Sequence, residues 1–120
     1  MGEFVKLEAS RVDKVAIIRL DRPKVNALNT QLGRELLEVA TEVEGRSDIR
    51  CVVVWGGPRF FAAGADISEF PTNDGHRDPS GMVDVLNAAN FKLENLPQIP
   101  CSAVNGFALG GGCELSMSTD

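Results

Sequence analysis

Three successive glycines, Gly110-Gly111-Gly112, separate an apolar segment (Val104-Asn105-Gly106-Phe107-Ala108-Leu109) from a carboxylate set among apolar residues (Cys113-Glu114-Leu115). A run without Cβ atoms suits a sharp junction, where a strand ends and a helix begins. Backbone N–H groups at such a junction face a ligand at close range, and the start of a helix adds a positive end, so the place favours an oxyanion. Glu114, one turn in, is placed to handle a proton beside that anion. The same residues also suit a plain strand-to-helix turn, with Glu114 merely favourable in a first turn. The rest of the chain decides between the two.

Residues 4–9 alternate, Val5, Leu7 and Ala9 against Lys6 and Glu8, and residues 15–20 form a second β-rich run. The polar residues 11–14 between them predict a hairpin. Pro23 has no N–H for a ladder, so residues 21–24 stop the second strand. Asn29 reads as the N-cap of a helix over residues 30–44, with Leu32, Leu36, Ala40 and Val43 as its buried stripe. Leu37 and Val39 widen that stripe, Glu35, Glu38 and Glu42 are expected to face water, and Gly45 ends the helix. The run Cys51-Val52-Val53-Val54-Trp55 is apolar without alternation, as in a strand covered on both faces. Residues 71–81 (PTNDGHRDPSG) read as loop and carry the single histidine, His76, which has no evident partner there. Met82, Leu86, Ala89, Leu93 and Leu96 form one face of a second helix, stopped by Pro97, and this stripe reads as core. Residues 101–104 are a short buried strand. Alternating strands and helices with right-handed crossovers give an α/β fold.

Composition removes several classes of function. One domain over residues 1–120 can bury a real core. With 43% hydrophobic and 24% charged residues the chain has ordinary globular proportions. A formal charge of −5 with scattered Lys and Arg argues against nucleic acid as partner. No apolar run has transmembrane length, the first residues lack a signal-peptide form, and Lys6 stands where myristoylation needs Ser or Thr. Three cysteines, Cys51, Cys101 and Cys113, lie in apolar segments without metal-ligand spacing. They are expected to be reduced, buried thiols in a cytoplasmic protein that holds no metal.

A second glycine loop, Ala63-Gly64-Ala65-Asp66, follows the apolar run 51–55, as Gly110-Gly111-Gly112 follows residues 101–104. Loops after strand C-termini line the ligand crevice of layered α/β sheets. Two of them can offer one N–H each to the same oxygen. Taken alone, residues 63–66 also suit a helix-entry loop capped by Asp66. Gly110-Gly111-Gly112 is no nucleotide P-loop, because no Gly-Lys-Ser/Thr follows.

Three segments carry a specific resemblance: Arg22-Pro23-Lys24-Val25-Asn26-Ala27-Leu28, Phe61-Ala62-Ala63-Gly64-Ala65-Asp66-Ile67, and the stretch from Val104 to Leu115. In order and separation they resemble the hallmark segments of the enoyl-CoA hydratase (crotonase) family, across essentially the whole chain. The resemblance implies a crotonase-like spiral of repeated ββα units. It implies that the N–H groups of Ala65 and Gly111 hold the thioester oxygen of an acyl-CoA. Glu114 would then be one of two catalytic glutamates, positioning and deprotonating the water that adds to C3. Ala63, Ala65, Asp66, Ile67, Ser68, Gly110 and Gly111 would line the substrate channel, and Lys24 would lie near the CoA nucleotide end. The acyl-CoA is the substrate, and no separate cofactor is implied. Homotrimers or hexamers, built through C-terminal helices, are implied as well.

The chain departs from that pattern in several places. Family members are about twice this long, and their second catalytic glutamate lies about twenty residues past the position of Glu114. The chain therefore reads as the N-terminal part of one crotonase-like domain. Ser68 stands where hydratases commonly carry Lys, and Asp21 replaces the usual Asn. Two classes of function stay open. One is reversible hydration of a 2-enoyl-CoA through an enolate, with enoyl-CoA isomerisation as a relative on the same fold. The other is a non-catalytic acyl-CoA-binding fragment or assembly module. A carboxylate in an apolar, glycine-walled site is expected to be desolvated, which would suit a base.

Overall fold

The hairpin forms where the alternation places it, as β1 (Val5–Ser10) and β2 (Val15–Leu20), antiparallel with Val5 opposite Leu20 and Ser10 opposite Val15. Lys14 closes its turn with a left-handed φ of 58° and donates its N–H to the Ser10 carbonyl at 3.0 Å. The first helix, α1 (Thr30–Glu44), begins behind Asn29, whose Oδ1 accepts from the Leu32 N–H at 2.8 Å. A side-chain acceptor there satisfies one of the amides a helix start leaves without an intrahelical partner. In the computed structural model, residues 2–69 and 80–120 are described, Ser80 by its backbone alone.

Six further strands and helices follow in β, β, α order. They are β3 (Cys51–Trp55), β4 (Phe60–Ala62), α2 (Ser80–Glu94), β5 (Ile99–Ala103), β6 (Phe107–Ala108) and α3 (Gly111–Met117), with a short 3₁₀ turn at Ile67–Glu69. The described chain is thus three ββα units. The first strands of the second and third units extend the hairpin into one sheet, ordered β1-β2-β3-β5, in which β2, β3 and β5 run parallel. The second strands, β4 and β6, pair with each other in a separate two-stranded parallel sheet. These two short strands correct the reading in which the glycine loops follow β3 and β5 directly. Each loop follows instead from the small sheet.

One face of the large sheet is the core. Val5, Leu7, Ala16, Ile18, Leu20, Val52 and Val54 pack there with Leu32, Leu36, Val39, Ala40 and Val43 of α1 and Ala89 and Leu93 of α2. Met82 and Leu96 are buried as the stripe requires, and Leu86 is half-buried. The other face is only half-covered: Ile17, Val53, Trp55 and Cys101 keep partial exposure. The unalternating run 51–55 therefore marks an apolar face that this chain leaves open, not a strand enclosed on both sides.

Two more expectations are corrected by packing. Glu35 does not face water: it is 7% exposed, and its Oε1 accepts from the N–H groups of Phe4 at 2.7 Å and Val5 at 3.1 Å. The amides leading into β1 need an acceptor, and a carboxylate on α1 reaches them. Of the cysteines, Cys113 is exposed while Cys51 and Cys101 are half-buried. Burial, then the neighbouring Cys101, pushes the Cys51 thiol above its ordinary value.

Candidate active site

The small sheet brings the two glycine loops together. Phe60 pairs with Phe107 and Ala62 with Ala108, the Phe60 and Phe107 rings lie 5.5 Å apart, and the Leu109 N–H donates to the Ala62 carbonyl at 3.0 Å. Both loops leave this sheet at one end and touch at once. A Cβ on Gly64, whose φ is 101°, would stand 3.1 Å from the Leu109 carbonyl oxygen. A Cβ on Gly110, φ 50°, would stand 3.8 Å from the Gly64 Cα. Glycine at both places allows the left-handed turns and the close crossing of the two backbones.

Beyond the crossing, the ideal Cβ position of Gly111 lies 3.8 Å from the Ala65 nitrogen and 3.2 Å from Leu28 Cδ1. Neither the Ala65 N–H nor the Gly111 N–H donates a hydrogen bond among the described residues. The amides that follow them are occupied, Asp66 N–H donating to the Leu28 carbonyl at 2.8 Å and Gly112 N–H to Leu109 at 2.8 Å, as is Ala63 N–H, to Val25 at 3.1 Å. N–H groups without a partner among the described residues remain available to an acceptor, as an oxygen-binding site requires.

Glu114 lies in the first turn of α3, its N–H bonded to the Gly110 carbonyl at 3.1 Å. Its side chain is exposed, so the desolvated setting expected from its apolar neighbours is not present among the described residues. Leu115, next to it, is buried and anchors the helix. Ile67 is 79% exposed and Ser68 is exposed, on the outer side of the 3₁₀ turn. The Asp66 carboxylate is engaged within the protein, with Arg22 Nη2 at 2.7 Å, Ser68 N–H at 2.9 Å and Ser68 Oγ at 2.6 Å. These hydrogen bonds from Ser68, and then Arg22, hold its carboxyl below its ordinary value. Lys24 is separate from the loops. It borders a cavity of about 220 Å³ shared with Arg19, Arg22, Arg59 and Asp21, a mostly cationic wall. A larger cavity, about 570 Å³, lies between the end of α1 and the turn before β5 and includes none of the candidate residues. His76 lies outside the described residues.

Several contributors were not singled out by the sequence. Asn26 is buried with φ 55° and its Nδ2 donates to the carbonyls of Gly56 at 2.7 Å and Phe61 at 3.1 Å. Leu28 forms a parallel bridge with Ala65, its N–H donating to the Gly64 carbonyl at 2.7 Å. Glu69 accepts from Thr30 N–H at 3.1 Å and Thr30 Oγ1 at 2.7 Å, tying the 3₁₀ turn to the start of α1. The available signal was the segment from Arg22 to Leu28 itself, a loop too specific in composition to be a mere connection.

Known proteins share this fold. The model of the enoyl-CoA hydratase/isomerase family matches residues 10–120. A short-chain-enoyl-CoA hydratase of Clostridium acetobutylicum is 43% identical over 112 residues, covering 89% of this chain and 41% of that protein. Among solved structures, an enoyl-CoA hydratase from Bacillus anthracis superposes with a TM-score of 0.84 at 31% identity, over 98% of this chain and 46% of that one. Human mitochondrial delta3-delta2-enoyl-CoA isomerase superposes with a TM-score of 0.87 at 25% identity, again over 98% and 46%. The chain thus spans less than half the length of each of these relatives. Its three ββα units are the crotonase fold, and the chain belongs to the enoyl-CoA hydratase/isomerase family.

Proposed function

We propose that the protein hydrates 2-enoyl-CoA thioesters, with Ala65 and Gly111 donating to the thioester oxygen and Glu114 acting on water. The observation that carries this reading is that, where two glycine loops cross, Ala65 and Gly111 each keep a backbone N–H that has no partner among the described residues. An α,β-unsaturated thioester becomes electrophilic at C3 only as charge builds on its oxygen, and fixed donors stabilise that charge without reorganising. Glu114 follows Gly111 by three residues, so water held by its carboxylate would approach the same acyl group. The cationic cavity beside Lys24 suits the phosphate-bearing end of CoA. No cofactor beyond the acyl-CoA substrate is part of this proposal, and homotrimers or hexamers in the cytoplasm are the proposed setting.

Isomerisation is the second reading, favoured by the likeness to the isomerase structure. It uses the same oxygen site but needs no water activated by Glu114. The test is Glu114→Gln in the complete enzyme, assayed on crotonyl-CoA. Hydration should fall by about 10² or more while KM changes little, because the amide preserves shape. Unchanged hydration would remove Glu114 from the mechanism, and isomerisation without hydration in the unaltered enzyme would favour the second reading.

A further inference from the structure

The Ala65 N–H can polarise an oxygen only if the loop that carries it is aimed. Its backbone is tied to residues 25–28, with Ala63 N–H donating to Val25, Leu28 N–H to Gly64 and Asp66 N–H to Leu28, and Gly64 among them has a φ of 101°. A glycine there supplies a pivot as well as a turn. Beyond Ala65 two side chains hold it, Glu69 through Thr30 and, directly next to Ala65, Asp66 through Arg22. Asp66 Oδ2 meets Arg22 Nη2 at 2.7 Å, with both side chains largely buried, at 15% and 21% exposure.

Arg22 is itself fixed in place. Its Nη1 donates to the Ala27 carbonyl at 2.8 Å, its guanidinium lies 5.4 Å from the centre of the Phe4 ring, and its N–H donates to Asn26 Oδ1 at 2.9 Å. Asn26 is bonded in turn to the carbonyls of Gly56 and Phe61, at the end of β3 and within β4. A continuous set of contacts therefore runs from the two sheets through Asn26 and Arg22 to Asp66 and the neighbouring Ala65.

We propose that Arg22 and Asp66 are positioning residues, an ion pair that aims the Ala65 N–H at the substrate oxygen. This rests on the acyl-CoA reading given above. Partly buried, geometrically fixed pairs of this kind differ from exposed ones because less mobility and less solvent screening oppose them. The competing role for Arg22 is a direct contact to a CoA phosphate, since it also borders the cavity near Lys24. The two roles part kinetically: aiming a donor affects kcat, whereas holding a phosphate affects KM.

The experiment uses the complete enzyme and the variants Asp66→Asn, Arg22→Gln, the double variant and Arg22→Lys. Three quantities are read: crotonyl-CoA hydration, the C=O stretching frequency of a bound, carbonyl-labelled acyl-CoA, and amide exchange at Leu28 and Asp66 without ligand. Each single variant should lower kcat about tenfold or more, with KM within about threefold, and lose most of the carbonyl shift. The double variant should be no worse than either single one, and Arg22→Lys should recover part of the loss. Exchange at Leu28 and Asp66 should speed up about tenfold. Folded variants with the unaltered carbonyl shift and kcat would overturn the proposal, as would a loss confined to KM. If the unaltered enzyme neither hydrates crotonyl-CoA nor shifts the carbonyl, the acyl-CoA reading fails. The exchange data then still decide whether the ion pair orders the loop, and unchanged exchange would overturn that as well.

Discussion

Glu35 and Asp66 show how two acidic residues of ordinary sequence appearance acquire particular tasks. Glu35 gives the amides of Phe4 and Val5 an acceptor. Glu35→Ala would leave both without that partner at a buried strand start, which should cost about 1–3 kcal/mol in urea unfolding. Glu35→Gln, which keeps a carbonyl oxygen, should cost less, and equal stability of all three proteins would show that the contact is incidental. For Asp66 the sign follows from its lowered pKa. A carboxyl held below its ordinary value of 3.8 in the folded state stabilises fully above that value. The contribution fades as pH falls below 3.8 and through the lowered folded value. Unaltered protein should therefore lose more Tm than Asp66→Asn as pH is taken down through that window, and parallel curves would contradict the assignment.

At the scale of elements, the glycines of the third unit divide their tasks. A Cβ on Gly112 would stand 2.1 Å from the Ala62 carbonyl oxygen, so Gly112→Ala must push α3 away from β4. Overpacking of this kind typically costs about 1–3 kcal/mol or more, and Tm should fall accordingly. A Cβ on Gly111 meets the flexible end of Leu28 at 3.2 Å and, at an ordinary contact distance of 3.8 Å, the Ala65 nitrogen. Gly111→Ala should therefore melt near the unaltered protein yet lower turnover of the complete enzyme by narrowing the oxygen site. A large loss of Tm in Gly111→Ala, or none in Gly112→Ala, would reverse these roles. The same elements show what could be read from the chain. The stripe of α1 and its Asn29 cap were legible because helix periodicity and capping act over a few residues. Strands β4 and β6 were not, because three and two residues carry no period and are defined only by pairing with each other across 47 positions of register, Phe60 to Phe107. The burial of Glu35 was hidden for the same reason: its partners are 31 and 30 positions away.

For the whole molecule, the family segments made the ββα spiral and the meeting of the loops accessible from sequence, while exposure was not. Glu114 was expected in an apolar enclosure and stands exposed; Phe107, Leu109 and Met117 nearby are 60%, 52% and 70% exposed. Local composition cannot tell which apolar residues the chain covers itself. Open apolar surface of this sort forfeits about 1.5–3 kcal/mol per large side chain relative to burial. Residues 1–120 expressed alone should therefore bind hydrophobic dyes and should not hydrate crotonyl-CoA. A dye-free, cooperatively melting and active 120-residue product would contradict that expectation. The most direct test of the central claim is a structure of the complete enzyme with an unreactive acyl-CoA. The thioester oxygen should lie about 2.7–3.1 Å from both the Ala65 and Gly111 nitrogens, with Glu114 facing C3. An oxygen bound elsewhere, with either N–H turned away or bonded within the protein, would contradict it.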